Sequence, residues 1–200
     1  MKVDIEDILF WMDAIRNSED RYRTLESFWK GQVRSKIWLI ESLRNYLPSE
    51  ELNIVIHGGW NGVLASLMFN SDIDIKELIS IDIDPSCEAI ASTINKRQEM
   101  QGRFKAVTAD MCQYLYDADV VINTSCEHIT QSQYETWLSN VPDSALIVLQ
   151  TNNYYELDEH IRCSKDQQEF IDQSKICPLW VGSLELPKYT RFMLIGRKYA

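Results

Sequence analysis

Four short clusters in the chain carry the residue types and spacing that hold a ligand and act on it. The first, His57-Gly58-Gly59-Trp60-Asn61-Gly62, runs directly into the apolar stretch Val63–Phe69. Glycines let a backbone turn tightly and approach a ligand closely, and the free N–H groups opening the next helix suit an anionic group. Any strand-to-helix turn also uses glycines in this way. In the second, Ser80-Ile81-Asp82-Ile83-Asp84, Asp82 follows Gly58 by 24 positions, near the offset of about 20 at which an acid grips ribose hydroxyls. Asp84 stands before Pro85 and suits a helix cap, which leaves Asp82 for the ligand. In the third, Ala109-Asp110-Met111, Asp110 either caps a helix or accepts a hydrogen bond from an exocyclic amine such as that of adenine. The fourth is Asn123-Thr124-Ser125-Cys126-Glu127-His128. There His128 suits a general base near neutral pH, with Glu127 orienting it or binding substrate, and a capped helix start is the plain alternative. His160 is a further candidate base, or a packed or solvated side chain.

Hydrophobic spacing supplies the elements that must position these clusters. Ile5, Ile8, Leu9, Met12 and Ile15 repeat as in a helix. A second helical pattern runs from Leu25 to Leu47, with Gly31 as a point of bending or splitting and Pro48 as its end. From Leu52 onward, strands are expected at 53–57, 77–82, 104–107, 119–123 and 145–150, and helices at 61–69, 85–98, 110–116 and 131–140. Thr130 with Gln133, and Ser164 with Gln167, have capping-box spacing. Strands alternating with helices of this length imply a mainly parallel sheet. The tail reads as two antiparallel strands, 180–186 and 189–198, joined at Pro187-Lys188. Each cluster then falls at the carboxyl end of a strand, where open α/β sheets bind ligands. The expected organisation is a helical extension over residues 1–50, covering the substrate, and an α/β domain over 51–200.

Composition narrows the class. Two hundred residues, 45% hydrophobic and 25% charged, describe one globular domain. A formal net charge of −10 makes generic binding to a phosphate backbone unfavourable. No stretch is apolar enough for a membrane span, and the opening residues lack a basic-then-apolar leader, so a cytoplasmic protein is expected. The five cysteines are scattered without a C-x-x-C pair, as expected of reduced thiols rather than a zinc or disulfide framework. No metal site is expected.

Taken together, the clusters resemble those of class I S-adenosylmethionine-dependent methyltransferases, over about residues 50–198. Gly58-Gly59-Trp60-Asn61-Gly62 is similar to the glycine-rich first motif, which holds the methionine part of the cofactor. The resemblance implies that Asp82 binds the ribose hydroxyls, that Ile83 lies against adenine, and that Asp110 and Met111 hold the adenine ring. Asn123 through Ile129 resembles the fourth motif of members ending that strand in Glu-His. Asn123 and Thr124 are then placed by the cofactor and Glu127 and His128 by the acceptor. Asp158-Glu159-His160-Ile161-Arg162 resembles a segment such members carry after their fifth strand. The chain departs from the pattern in two places: Trp60 replaces the usual middle glycine, and Ile56 stands where an acid often precedes the loop. The Asn-Pro-Pro-aromatic type of signature is absent, since Thr124-Ser125 follow Asn123, and Cys126 reads as structural or lining.

The implied fold is a Rossmann-like, mainly parallel seven-stranded sheet with an antiparallel last strand, helices on both faces and an N-terminal helical extension. The implied activity is methyl transfer from S-adenosylmethionine to a small-molecule substrate. Between positions 21 and 44 six basic residues face two acidic ones, with Tyr22, Trp29 and Trp38 interleaved. That keeps an anionic or aromatic acceptor open, with RNA or a protein side chain behind a metabolite; a solvated basic helix face is the bland alternative. Two other functions compete. A degenerate member of the family would serve as a binding or regulatory subunit, and a NAD-dependent oxidoreductase would share the glycine loop and Asp82. The spacing leaves the oligomeric state open.

Overall fold

The computed structural model describes residues 2–199. Its sheet has seven strands in the order β3-β2-β1-β4-β5-β7-β6. These are β1 (Leu52–His57), β2 (Ile75–Asp82), β3 (Phe104–Thr108), β4 (Val120–Asn123), β5 (Leu146–Asn152), β6 (Cys177–Glu185) and β7 (Thr190–Arg197). The first five pair in parallel, and β7 runs antiparallel to both of its neighbours. This is the fold class the sequence pattern implies. The central strands β4 and β5 are buried along their whole length, which explains why they read as unbroken apolar runs rather than alternating ones.

Side chains alternate across the sheet, and each face has its own core. Ile54, Ile56, Val120 and Ile122 pack with Leu64 and Met68 of α4 (Val63–Phe69) and with Ala91 and Ile94 of α5 (Pro85–Ile94). Leu39, Ile40 and Leu43 of α3 (Lys30–Leu43) join the same cluster. On the other face, Val55, Val121, Ile147 and Leu149 pack against Tyr134 and Trp137 of α7 (Gln131–Asn140) and Phe170 of α8 (Gln167–Ser174). The first helix, α1 (Ile5–Asn17), is capped by Asp4. It is tied down by Arg97 of α6 (Lys96–Met100), whose guanidinium donates to Asp4 and to the fully buried Asp7.

Three local expectations are corrected. The second helical pattern divides into α2 (Arg21–Glu26) and α3 around Ser27–Trp29 rather than at Gly31, which lies inside α3. The Ser27 hydroxyl donates to the Thr24 carbonyl at 2.6 Å and closes α2, while Trp29 is extended and opens α3. Residues 110–116 make turns, not a helix. Tyr114 stacks on Tyr116 with ring centroids 6.4 Å apart, and side chains two apart cannot share a helical face. Before α8, the cap is Asp166, which accepts from the Glu169 N–H; Ser164 instead donates to Gln173. The Asp84-Pro85 start of α5 and the Thr130/Gln133 capping box both form.

His57, last in β1, is fully buried between Tyr116 and Trp137, with centroids 5.0 and 5.7 Å away. Neither ring nitrogen has a partner. Burial pushes the imidazole down to about 3, so it stays neutral in the folded protein while the unfolded chain protonates near pH 6.5. Between those values the unfolded state binds the extra proton, and stability falls as pH falls. From pH 6.5 to 5, urea unfolding of the wild type is expected to lose stability with a slope approaching about 1.4 kcal/mol per pH unit. His57→Leu should flatten it; an unchanged slope would show that His57 is not the group responsible.

Candidate functional site

The strand order reverses between β1 and β4. These strands run side by side, with His57 opposite Asn123, and their chains depart in opposite directions across the sheet. In open α/β sheets the ligand crevice lies at such a switch point, which is flanked here by Gly58–Gly62 and by Thr124–His128. The two loops interlock. Gly58 has φ +62, and a Cβ there would overlap the Ser125 side chain, whose hydroxyl donates to the Gly58 carbonyl at 3.4 Å. Gly62, φ +72, opens α4 against Ala91 and Asn95, and Asn95 donates to its carbonyl. At least part of the glycine requirement is therefore packing of the protein against itself. A cavity of about 560 Å³ lies at the other end of the sheet, near Asp4, Arg44, Asn70 and Arg97, and none of the sequence-predicted site residues lines it.

On the β2 side, Asp82 is partly buried. Its Oδ2 accepts from the Trp60 N–H at 2.7 Å and its Oδ1 from the Asp84 N–H at 3.0 Å. A carboxylate offers about four acceptor positions, so two remain. Trp60 takes φ +48, the left-handed region that glycine adopts freely and other residues rarely do. It borders a gap too narrow to hold a water molecule, beside Asp82, Asp84 and Cys87. Ile83 is 70% exposed, an apolar side chain left outside the core. Asp110, at the end of the neighbouring β3, accepts from the Cys112 N–H at 2.8 Å and stands within 3.4 Å of the Gln113 amide. Asn123 is fully buried; its Oδ1 accepts from the Ser125 N–H, and its amide meets the Met111 sulfur at 3.5 Å. That contact brings the third and fourth clusters together. Asn61 is buried with its amide nitrogen unpartnered, and Gly59 packs on Ser80. Thr124 presents its carbonyl to Arg191 at 3.1 Å.

On the β4 side, the short 3-10 turn Cys126–His128 sets Glu127 inward and His128 outward. Glu127 is only 2% exposed, and its Oε1 accepts from Arg191 and from Asn152, both at 2.6 Å. Asn152 and Arg191 are cross-strand partners on β5 and β7, so strand register alone brings them to one carboxylate. Arg162 donates to the Cys126 carbonyl at 3.0 Å and lies 4.0 Å over the Tyr134 ring, while its own N–H donates to the Glu127 carbonyl. His160 packs edge-on against His128 with centroids 4.8 Å apart. Cys126 is fully buried, and desolvation pushes its thiol up to about 12, so it is a packed side chain rather than a nucleophile. All five thiols are free.

Asn152 and Arg191 were not expected from the sequence, and Lys36 is one of the six basic residues counted between 21 and 44. Lys36 of α3 donates to Gln32 at 3.0 Å, and burial, reinforced by the nearby Arg191, pushes its amine down to about 7. The basic stretch from 21 to 44 is thus partly committed within the chain. Arg23 holds the Asp84 cap and Ser86, Arg44 pairs with Asp72, and Lys36 is drawn into the fold. Arg191→Leu would leave the Glu127 carboxylate buried without its cation, which should lower unfolding stability by about 3–5 kcal/mol. Adding Glu127→Gln should recover much of that loss in chemical denaturation. Equal stability of the single variant and the wild type would contradict the pairing.

In overall shape the chain is similar to magnesium protoporphyrin IX methyltransferase (ChlM) from Synechocystis PCC 6803 with bound SAH. The TM-score is 0.67 and the identity 13%, over 98% of this chain and 95% of that one. It is also similar to N-methyltransferase NodS from Bradyrhizobium japonicum WM9, at TM-score 0.63 and 11% identity over 84% and 97% of the two chains. At such identities the likeness establishes the fold. No curated protein matches in sequence. A sequence-family model described as "Ribonucleotide reductase, barrel domain" matches residues 17–199. Its description and this fold disagree, because a closed barrel has no edge strands whereas β3 and β6 are edges here. By that sequence match the chain belongs to the ribonucleotide reductase barrel-domain family, while its open seven-stranded sheet is similar to those of the two methyltransferases.

Proposed function

We propose that the chain binds S-adenosylmethionine at the β1/β4 switch point and transfers its methyl group to a small-molecule acceptor. The observation carrying this reading is the arrangement of chemistry at adjacent strand ends. An acid with spare acceptor positions closes β2, and an exposed isoleucine follows it. A second acid follows β3 and is linked through Met111 to the end of β4. That donor set suits an adenosine: Asp82 would accept from the ribose hydroxyls, Ile83 and Met111 would lie along the ring, and Asp110 would accept from its amine. Bound there, the sulfonium would supply an electrophilic methyl carbon. The residues on the β4 side then have to hold the acceptor in line and shed water, and orientation of this kind is worth up to about 7–11 kcal/mol in favourable cases. Arg191, Asn152 and Arg162 would fix the Glu127-His128 turn, and His128 would take a proton from an acceptor that must lose one.

One observation favours a second reading, a binding or regulatory subunit on the same fold. Trp60 stands in the glycine loop at φ +48, beside a gap too narrow to hold a water molecule. Calorimetry with S-adenosylmethionine and S-adenosylhomocysteine separates the two. Binding of both is expected, with Asp82→Ala weakening each at least tenfold, and a panel of methyl acceptors should then give turnover. Binding without turnover would favour the regulatory subunit. Absence of adenosyl binding would refute the methyltransferase reading, and binding of a nicotinamide dinucleotide instead would point to an oxidoreductase. His128→Ala should keep adenosyl affinity and lower transfer; lost affinity would mean that His128 belongs to the cofactor side.

A further inference from the structure

Glu127, His128 and His160 come from two separate segments, yet each offers one ligand atom within 4.8 Å of the others. Two details distinguish the group from a chance surface cluster. Arg191 and Asn152 both bind Glu127 Oε1, leaving Oε2 buried with no hydrogen-bond partner. A buried carboxylate oxygen left unsatisfied is costly, and one already oriented through its other oxygen is arranged as a ligand. The second detail concerns His160. Its Nδ1 lies 2.7 Å from the Tyr154 carbonyl, a contact that requires Nδ1 to carry the proton and leaves the Nε2 lone pair free. A carbonyl holding the second nitrogen of an imidazole is the usual support of a metal-ligating histidine.

We infer that Glu127, His128 and His160 form a binding site for a divalent transition-metal ion. Two imidazoles and one carboxylate suit zinc, iron(II), cobalt or manganese better than magnesium, which prefers an all-oxygen shell. Three protein ligands leave at least one coordination position open, the pattern of reactive rather than structural metal sites. Ligand atoms about 2.0–2.2 Å from a tetrahedral ion stand about 3.3–3.6 Å apart, so the group must close somewhat. His128, exposed on its 3-10 turn, is the ligand able to move. The site lies beyond the carboxyl ends of β4 and β5, on the side of the crevice assigned above to the acceptor. Metal binding does not depend on the methyl-transfer reading. It does change one role within that reading, making His128 a ligand rather than a free base.

The chain has three histidines, and His57 is sealed in the core, so an imidazole signature can come only from this pair. Tag-free protein titrated with Co²⁺ should develop visible d–d absorption at one equivalent and release it to Zn²⁺ but not to equimolar Mg²⁺. His128→Ala and His160→Ala, checked for native circular dichroism, should each weaken Co²⁺ binding at least tenfold. Glu127→Gln should do so too, and if it fails to fold the two histidine variants decide. No d–d band, or affinity unchanged in both histidine variants, would overturn the proposal. Since no adenosyl ligand is present, its failure is separate from failure of the methyltransferase reading.

Discussion

Burying the Glu127 carboxylate is the constraint around which this end of the molecule is organised. A charge taken out of water survives only with partners, and here the carboxylate takes two, from neighbouring strands, while a third group holds the Glu127 main chain. Asn152 arrives on β5, Arg191 on β7, and the Arg162 N–H holds the Glu127 carbonyl from the loop between them. Each partner is positioned by something other than the carboxylate. Asn152 and Arg191 face each other by antiparallel register, and Arg162 is clamped by the Cys126 carbonyl and the Tyr134 ring. Such a pair adds little net stability compared with an apolar replacement, but breaking it is costly. Its effect is to hold the β4 turn in one conformation, with His128 on the solvent side and one carboxylate oxygen unused.

The opposite wall of the crevice depends on backbone rather than charge. Asp82 receives N–H groups from Trp60 and Asp84, so its carboxylate shapes the glycine loop as well as offering acceptor positions to a ligand. Gly58 and Ser125 lock that loop to the turn after β4. Through Arg23, the N-terminal helices are tied to the Asp84 cap on the same wall, and Lys36 reaches the neighbourhood of Arg191 on the other. The extension is part of the main core, through Leu39, Ile40 and Leu43, and contributes near both sides of the site.

Much of this is legible in the sequence. The apolar runs of the central strands, the Asp84-Pro85 and Thr130/Gln133 caps and the antiparallel tail are local signals, and each formed as read. The misreadings share a cause, a side chain answering to a neighbour that the local pattern does not contain. Tyr114 stacks on Tyr116, which packs against His57, instead of following a helix, and Ser164 binds Gln173 instead of capping α8. The division between α2 and α3 was the exception: its signal was local, in the Ser27 hydroxyl returning to Thr24, but the glycine was the more conspicuous breaker.

By itself the sequence determined where the strands and most of the helices fall and which residue types end each strand. Hydrophobic period, caps and turn residues act over a few positions and are written contiguously. Tertiary structure decided which of those strand ends share a crevice, and that Glu127 is gripped by Arg191 and Asn152. It also decided that His160 comes to stand beside His128. Those outcomes depend on strand order and register, set by the packing of residues dozens of positions apart, and no local spacing encodes them.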